Sequence, residues 1–135
     1  MKGNKIKMTK LLGIDYGDKR VGLAIAELGS IAVPYKVVKN TEKLFEELQE
    51  IVEAENINEI IIGLPHSLSG EPNERLEITE KFIDELAKFI SLPIKEVDEQ
   101  LTSKLYTQQG VTKDIDKHAA TAILDTYLEQ NNGKL

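Results

Sequence analysis

The chain has 135 residues, of which 41% are hydrophobic and 30% are charged, and its 17 basic and 23 acidic residues give a formal net charge of −6. This composition predicts a globular protein and excludes an intrinsically disordered chain. The absence of cysteine excludes disulfides and thiolate zinc sites.

The N-terminal residues predict a tail and not a secretory signal. Residues 1–9 are rich in lysine and lack the apolar segment that a signal peptide requires, so we expect a loosely ordered tail there. No apolar run approaches the length of a transmembrane helix. We therefore expect a cytoplasmic protein with no membrane contact and with a single domain over residues 10–135.

The first third of the chain has the pattern of three strands joined by short turns. Apolar runs at 10–17 and 20–26 flank a turn that contains Gly17, which is typical of a hairpin. A third apolar run at 31–38 contains Pro34, which lacks a backbone N–H. We therefore expect Pro34 to lie at an edge of the sheet or at an irregular point of a strand.

The rest of the chain alternates helices with short strands. Thr41 is predicted to cap a helix whose apolar residues recur at helical spacing. The run EIIIG at 59–63 shows no alternation with polar residues, which indicates a strand that is covered on both faces. The later elements are predicted in this order: a loop at 64–73, a helix at 74–90, a strand at 92–98, a short helix at 102–109 and a final helix that begins near Asp114.

This order of elements predicts an α/β fold built on one mixed sheet. Three strands joined in sequence by short turns form an antiparallel meander, whereas strands separated by helices pair in parallel. Helices that connect parallel strands pack on both faces of the sheet.

A single carboxylate interrupts the first predicted strand, in the run LLGIDYGDKRVG at residues 11–22. Asp15 has Gly13 and Gly17 as its neighbours on the same face, because strand side chains alternate with a period of two. Two residues without side chains are expected to leave open space in which an ion or a ligand approaches the carboxylate. The alternative is that Asp15 is an ordinary turn residue or faces solvent.

Two further places carry acids in unusual positions. Asp98 and Glu99 directly follow a predicted strand, at the edge where open α/β sheets place their sites, although paired acids in loops also serve solubility alone. Asp116 lies four residues before Ala120 and so falls on the apolar stripe of the last helix. A carboxylate on that stripe is costly unless it is paired or binds a cation. Its alternative role is to complement the helix dipole.

Asp15, Glu99 and Asp116 are expected to converge at one edge of the sheet, with Asp98 as a further candidate ligand. Converging carboxylates repel one another and favour a divalent cation, and ligands that are all oxygen suit Mg²⁺ or Mn²⁺. Such a site supports hydrolysis of phosphodiester bonds, because the ion lowers the pKa of the attacking water and steadies the leaving oxygen. A bound metal also lets an acidic protein bind an anionic substrate.

Other chemistries have less support in the sequence. His66 and His118 are the two histidines, and without cysteine or an H-E-x-x-H motif they do not predict a zinc site. The sequence has neither a glycine-rich phosphate loop nor a G-x-S-x-G nucleophile motif. His66 and Ser67, in the loop near the expected site, are candidate substrate contacts. Lys19 and Arg20, in the hairpin turn, either contact the substrate backbone or are solvated turn residues.

Four segments of the chain carry motifs in a characteristic order. They are GIDYGDKRVGLAIAE, IIIGLPHSLSGEPNE, VDEQLTS and DIDKHAATAILDTYLE, and they span nearly the whole chain from about residue 10. Together they resemble the YqgF/RuvX family of bacterial proteins. The resemblance implies an RNase H-like fold and a metal-dependent nuclease that matures the 5′ end of pre-16S rRNA. It also implies nucleic acid, and with it the small ribosomal subunit, as a partner.

The resemblance also implies roles for individual residues. By position, the first-strand acid of the family is Asp15, and the acid that precedes its A-A helix is Asp116. The acid of its D-E-R-L-T segment is Glu99, with Asp98 beside it.

Three departures from the family pattern concern substrate binding. Gln100 stands where arginine is usual, and Ser67 and Ser69 stand where asparagine and aspartate are common. The stretch between DEQLTS and DIDKHAA is short, so the basic helix and loop that are usual there are trimmed. None of these departures removes an expected metal ligand.

Other functions are compatible with the same residues. A resolvase that acts on branched DNA, such as a Holliday junction, is an alternative within the family. The segment GIDYG followed by a hairpin is also similar to the phosphate loop of actin, sugar kinases and heat-shock ATPases, which would make the chain a nucleotide-binding module. A non-catalytic RNA-binding factor is the third alternative. The chain is expected to be a monomer or a weak dimer.

Overall fold

The computed structural model describes residues 9–65, 73–98 and 115–132, and in the last range the side chains of residues 118–130. Its elements confirm the predicted order of strands and helices. Residues 1–8 of the predicted tail and the predicted short helix at 102–109 lie outside the described residues. The elements are β1 (Lys10–Tyr16), β2 (Arg20–Glu27), β3 (Val33–Lys39), α1 (Leu44–Glu55), β4 (Glu59–Leu64), α2 (Glu74–Phe89), β5 (Ile94–Asp98) and α3 (Ile115–Asn132).

The five strands form one mixed sheet in the order β3-β2-β1-β4-β5. The short turns make β1, β2 and β3 antiparallel neighbours, whereas β1, β4 and β5 run parallel because helices connect them. Ile14 pairs with Ile62, and Leu64 pairs with Asp98. The carboxyl ends of the three parallel strands therefore meet at one edge of the sheet, which we call the carboxyl edge.

The two faces of the sheet pack into two separate hydrophobic clusters. Helices α1 and α2 cover one face through a cluster that contains Leu12, Leu48 and Leu86. Helix α3 covers the other face through a cluster that contains Leu11 and Ile123. The three consecutive isoleucines of β4 are fully buried and are shared between the two clusters, which confirms that this strand is covered on both faces. None of the described helices has the length and apolar character that a membrane crossing requires.

Gly13 of β1 marks a close approach of α3 to the sheet. A Cβ atom at this position would lie 2.6 Å from Leu124 Cγ and 3.0 Å from the carbonyl oxygen of Ala120. These distances are too short for a side chain, so glycine is what lets the helix backbone come this close to the strand. The prediction that Gly13 leaves open space next to Asp15 is therefore wrong, because the helix fills that space.

Gly17 shapes the turn between β1 and β2 and does not open space next to Asp15 either. A Cβ atom at Gly17 would lie 2.6 Å from the carbonyl oxygen of Arg20, which is a backbone atom and cannot rotate away. The Gly17 carbonyl accepts a hydrogen bond from Asn40 Nδ2 at 2.8 Å, and the Lys19 carbonyl accepts one from the Asn40 N–H at 2.9 Å. These two bonds hold the turn against the end of β3.

Helix α1 begins three residues after the predicted cap. Its first residue is Leu44, whose N–H donates to the Thr41 carbonyl oxygen at 3.0 Å. The Thr41 hydroxyl accepts a hydrogen bond from the Lys43 N–H at 3.2 Å. The prediction that Thr41 caps the helix is wrong, because its side chain closes a local turn ahead of the first helical residue.

Strand β3 lies at one edge of the sheet, as Pro34 predicts. Its pairing with β2 is irregular: Leu23 pairs with Lys36 and Ala24 pairs with Pro34, which leaves Tyr35 as an extra residue. A bulge of this kind twists an edge strand and disfavours its pairing with another chain.

A polar cluster joins three elements at the opposite end of the sheet. Lys10 Nζ lies 3.2 Å from Glu55 Oε1 at the end of α1, and the Tyr35 hydroxyl donates to Glu55 Oε2 at 3.1 Å. The hydrogen bonds from Lys10 and Tyr35 hold the pKa of the Glu55 carboxyl below its ordinary value. Desolvation, together with the hydrogen bond to Glu55, raises the pKa of Tyr35. We call these three residues the Glu55 clasp.

Candidate functional site

Asp15 lies at the carboxyl edge, on the face of the sheet that α3 covers. It pairs with Gly22 of β2. It shares its face with Leu11, which belongs to the α3 cluster, and with Gly13, which contacts α3, because strand side chains alternate. Asp15 is half-buried. Its carboxylate is therefore positioned by a central strand of the sheet and is only partly buried.

Helix α3 runs antiparallel to β1, which brings its first turn to the level of Asp15. Ala120 lies against Gly13, whereas Tyr127, two turns later, is hydrogen-bonded to the first residue of β4. Residue 116 precedes Ala120 by about one turn, roughly 5.4 Å along the helix. Asp15 follows Gly13 by two residues, which is about 6.6 Å along the strand. The backbone at residue 116 therefore lies beside the carboxyl edge.

Asp98 ends β5 at the same edge, and Glu99 follows it outside the described residues. Ile94 of the same strand packs on the α1 and α2 side of the sheet, and Val97 packs on the α3 side. By alternation, Asp98 is on the side of Ile94. Asp15 and Asp98 thus share an edge of the sheet but not a face.

The donors expected at this edge suit a divalent cation. Asp15 supplies a carboxylate on a fixed strand, and carboxylate oxygens are the ligands that Mg²⁺ and Mn²⁺ prefer. Among the side chains of residues 9–65, 73–98 and 118–130, no three of histidine, aspartate or glutamate form a group that could hold a metal ion. The side chains of the other two expected ligands, Glu99 and Asp116, lie outside those ranges.

Cationic side chains lie at the carboxyl edge of this acidic protein. Lys19 and Arg20 are exposed at the turn between β1 and β2. Arg20 pairs with Lys39 at the end of β3, and Lys39 is also exposed. Because directly paired residues of neighbouring strands share a face, both cationic side chains lie on the face of Asp15. Sequence reasoning missed Lys39 because the register of β3 depends on the bulge at Tyr35, which no local signal reveals.

The two residues that flank positions 66–72, Pro65 and Asn73, are hydrogen-bonded to each other. His66 and Ser67 lie outside the described residues. On either side of them, Asn73 Nδ2 donates a hydrogen bond to the Pro65 carbonyl at 3.1 Å. This bond brings together the end of β4 and the start of α2 at the carboxyl edge.

A family model described as "RuvX: Holliday junction resolvase" matches residues 9–130 of this chain. The match includes every strand described above and nearly all of the last helix. The chain belongs to the RuvX family. This confirms the family that the four sequence segments predict.

Relatives of similar length support the membership of RuvX. A protein of Maridesulfovibrio salexigens named "Putative pre-16S rRNA nuclease" is 41% identical over 131 residues, which cover 88% of this chain and 97% of the relative. A protein of the same name from Sulfurihydrogenibium sp. is 36% identical over 133 residues, which cover 91% of this chain and 92% of the relative. Family and relatives together support an enzyme that hydrolyses phosphodiester bonds.

Solved structures resemble this RuvX chain in fold. Thermus thermophilus RuvC in complex with a Holliday junction substrate superposes with a TM-score of 0.64 at 14% identity, covering 93% of this chain and 96% of RuvC. The fowlpox virus Holliday junction resolvase gives a TM-score of 0.52 at 13% identity, covering 90% and 99%. At these identities the likeness concerns the fold alone, and it confirms the predicted RNase H-like architecture.

Proposed function

We propose that this RuvX chain is a nuclease that depends on a divalent metal and cleaves precursor 16S rRNA during ribosome biogenesis. The observation that carries the proposal is the position of Asp15: it lies half-buried at the carboxyl edge, on the face of the sheet that α3 covers. The relatives named for pre-16S rRNA support RNA as the substrate.

Asp15, Glu99 and Asp116 would hold Mg²⁺ or Mn²⁺, whereas Asp98, the further candidate ligand, is less well placed because it lies on the other face of the sheet. When bound, such an ion lowers the pKa of a water ligand and offsets the charge on the leaving oxygen. Asp15 fits this role because β2 and β4 fix its strand from both sides. A carboxylate that is already positioned loses little freedom when it binds a cation.

The reaction inserts water into a phosphodiester bond. The water oxygen bonds to phosphorus, the bond from phosphorus to the leaving oxygen breaks, and that oxygen gains a proton. Arg20 and Lys39, with Lys19 nearby, would bind phosphate oxygens of the substrate backbone, and their charge attracts an anionic chain to a protein that is acidic as a whole. His66 and Ser67 are further candidate contacts.

Branched DNA is the second candidate substrate, because the family model is described as a Holliday junction resolvase. The two candidates share the chemistry of the site and differ in the nucleic acid that reaches it.

A cleavage assay with both substrates tests the proposal. Precursor 16S rRNA with its 5′ extension and a four-way DNA junction are each incubated with the full chain in Mg²⁺, in Mn²⁺ and in EDTA. We expect cleavage of the RNA in either metal, none in EDTA, and slower cleavage of the junction. Cleavage of the junction alone would assign the chain to the second candidate. Failure to cleave either substrate in any metal would contradict a nuclease.

A further inference from the structure

A groove lies at the carboxyl edge on the face of the sheet that α1 and α2 cover, between the start of α1 and the middle of α2. Its volume is about 200 Å³. Tyr16, which contributes to its wall, directly follows Asp15 in β1, so alternation places the two side chains on opposite faces of the sheet. The groove therefore adjoins the proposed metal site but is separate from it. Its lining includes the aromatic rings of Tyr16, Phe45 and Phe82 and the carboxylates of Glu42 and Glu85.

The aromatic side of the groove is a packed stack of rings. Tyr16 stacks on Phe82 with ring centroids 4.0 Å apart and planes inclined by 15°, and the Phe45 centroid lies 5.8 Å from that of Phe82. Phe82 is buried, whereas Tyr16 and Phe45 are half-buried. Arg75 Nη2 donates a hydrogen bond to the Tyr16 carbonyl at 3.2 Å, which fixes the backbone under the stack. The half-buried rings are thus held in place beside a solvent-accessible space.

The polar side of the groove is anionic. Glu42 precedes α1 and Glu85 lies on α2, so two independent elements each supply an exposed carboxylate. Among the described residues, neither carboxylate forms an ion pair, and the residues that line the groove include no lysine or arginine. The charged side chains that line the groove therefore favour a cation over a phosphate.

We propose that this groove binds an arginine side chain of a basic partner protein. A guanidinium ion is planar, stacks on aromatic rings and donates hydrogen bonds to carboxylates, which matches the rings and both glutamates. A lysine ammonium lacks the plane and the fork of donors, so it fits less well. A nucleotide fits less well than either basic side chain, because its phosphates would approach the carboxylates of Glu42 and Glu85. A partner bound here leaves the α3 face of Asp15 open to nucleic acid.

Peptide titration tests this inference. The full chain, with ¹³C-labelled tyrosine and phenylalanine, is titrated with acetyl-Gly-Arg-Gly-amide and followed by NMR. We expect saturable shifts of the Tyr16 and Phe45 ring signals. The matching citrulline peptide, which has the same shape without the charge, and adenosine monophosphate are expected to leave these signals unchanged. Each of Glu42→Gln and Glu85→Gln is expected to weaken binding about 2- to 5-fold.

Glu80→Gln is the matched control, because Glu80 is an exposed acid of α2 that does not line the groove. It is expected to leave binding unchanged. The glutamine variants replace exposed side chains by amides of the same size, so they retain the fold, and an unchanged melting temperature checks this.

Equal affinity of the wild type and the Glu42→Gln/Glu85→Gln double variant would overturn the proposal. Ring shifts with adenosine monophosphate but not with the arginine peptide would also overturn it and would assign the groove to a nucleobase. The readout involves neither metal nor cleavage. A failed nuclease assay therefore leaves this test intact, and a failed titration leaves the proposed nuclease intact.

Discussion

Gly13 lets the last helix approach the first strand so closely that no Cβ atom fits between them. Leu124 and Ala120 occupy the space that a side chain would need. The glycine is visible in the sequence beside Asp15, and its closeness to a carboxylate suggests room for a ligand. What fills the space is decided by the packing of α3, more than a hundred residues later, and local sequence carries no signal of that contact.

Replacement of Gly13 by alanine is expected to lower the free energy of unfolding by about 1–3 kcal/mol, because the added methyl group forces a packed helix away from the sheet. The displacement also moves the first turn of α3 relative to Asp15, so cleavage is expected to fall. Urea denaturation measures the first effect and the cleavage assay measures the second.

A double-mutant cycle with Leu124→Ala provides the control for this prediction. Gly13→Ala is expected to cost less in the Leu124→Ala background than in the wild type, because the side-chain atom 2.6 Å from the new Cβ is gone. Equal costs in the two backgrounds would show that the contact with Leu124 is not the cause.

Glu55 is expected to make stability depend on pH in the acid range. The folded state holds its pKa below the ordinary value of 4.5, so the ionised carboxylate stabilises the fold above that value. The contribution is lost as the pH falls through the lowered pKa. Glu55→Gln is therefore expected to be less stable than the wild type at neutral pH and equally stable in strong acid, as measured by urea denaturation across the pH range.

Glu50→Gln is the control for this prediction, because Glu50 is an exposed acid on the same helix. A difference between Glu55→Gln and wild type that does not change with pH would contradict the Glu55 clasp.

At the scale of elements, the hydrophobic pattern was sufficient for strands and for the faces of helices. The three isoleucines of β4 predict a strand covered on both sides. Two of them belong to the cluster under α1 and α2, and the third belongs to the cluster under α3. The spacing of Ala120, Ile123 and Leu124 predicts the buried stripe of α3, and all three are buried. These features follow from period and composition alone, so they are visible without tertiary context.

The start of α1 and the register of β3 were not predictable in the same way. Thr41 is a residue type that commonly caps helices, but a non-helical turn separates it from Leu44, the first residue of α1. The sequence does not show whether the helix begins directly after Thr41 or only after this turn. Tyr35 is the extra residue of a bulge, and a bulge depends on the partner strand. Both features decide which side chains lie at the carboxyl edge, so Lys39 and Asn40 escaped the sequence reasoning.

The polar side chains that precede α1 and α2 are expected to differ in their contribution to stability. Asn73 Oδ1 accepts a hydrogen bond from the Leu76 N–H at 2.7 Å at the start of α2, and such a cap contributes about 0.5–2 kcal/mol. Asn73→Ala is therefore expected to lower the free energy of unfolding by about 1 kcal/mol. Thr41→Ala, which removes only a turn contact, is expected to cost less. Urea denaturation of both variants checks the order, and equal losses would contradict it.

At the scale of the whole molecule, charge is distributed unevenly around one edge of the sheet. The protein carries a net charge of −6, yet Arg20 and Lys39 form a cationic pair on the rim near Asp15. The sequence indicated Asp15 because a carboxylate interrupts an apolar strand there. It could not show which element packs on the face of Asp15, because that depends on the crossing of α3 over β1 at Gly13.

The cationic pair is expected to contribute to nucleic-acid binding through its charge. Lys39→Ala should weaken binding in EDTA at low salt and reduce the slope of log affinity against log salt by about 0.7–0.9, which corresponds to one lost phosphate contact. Lys36→Ala is the matched control on the same strand. Lys36 pairs with Leu23, whose side chain packs on the opposite face of the sheet. Equal slopes for Lys39→Ala and wild type would exclude Lys39 from the interface.

The central claim is that Asp15 is the carboxylate on which cleavage depends. The most direct test is the rate of Mg²⁺-dependent cleavage of precursor 16S rRNA by the wild type, by Asp15→Asn and by Asp18→Asn, which alters an exposed acid of the adjacent turn. Loss of a charged metal ligand removes several kcal/mol of transition-state stabilisation, so Asp15→Asn is expected to be slower by about 100-fold or more while its melting temperature is retained. Asp18→Asn is expected to cleave at the wild-type rate. Cleavage by Asp15→Asn at the wild-type rate would contradict the account.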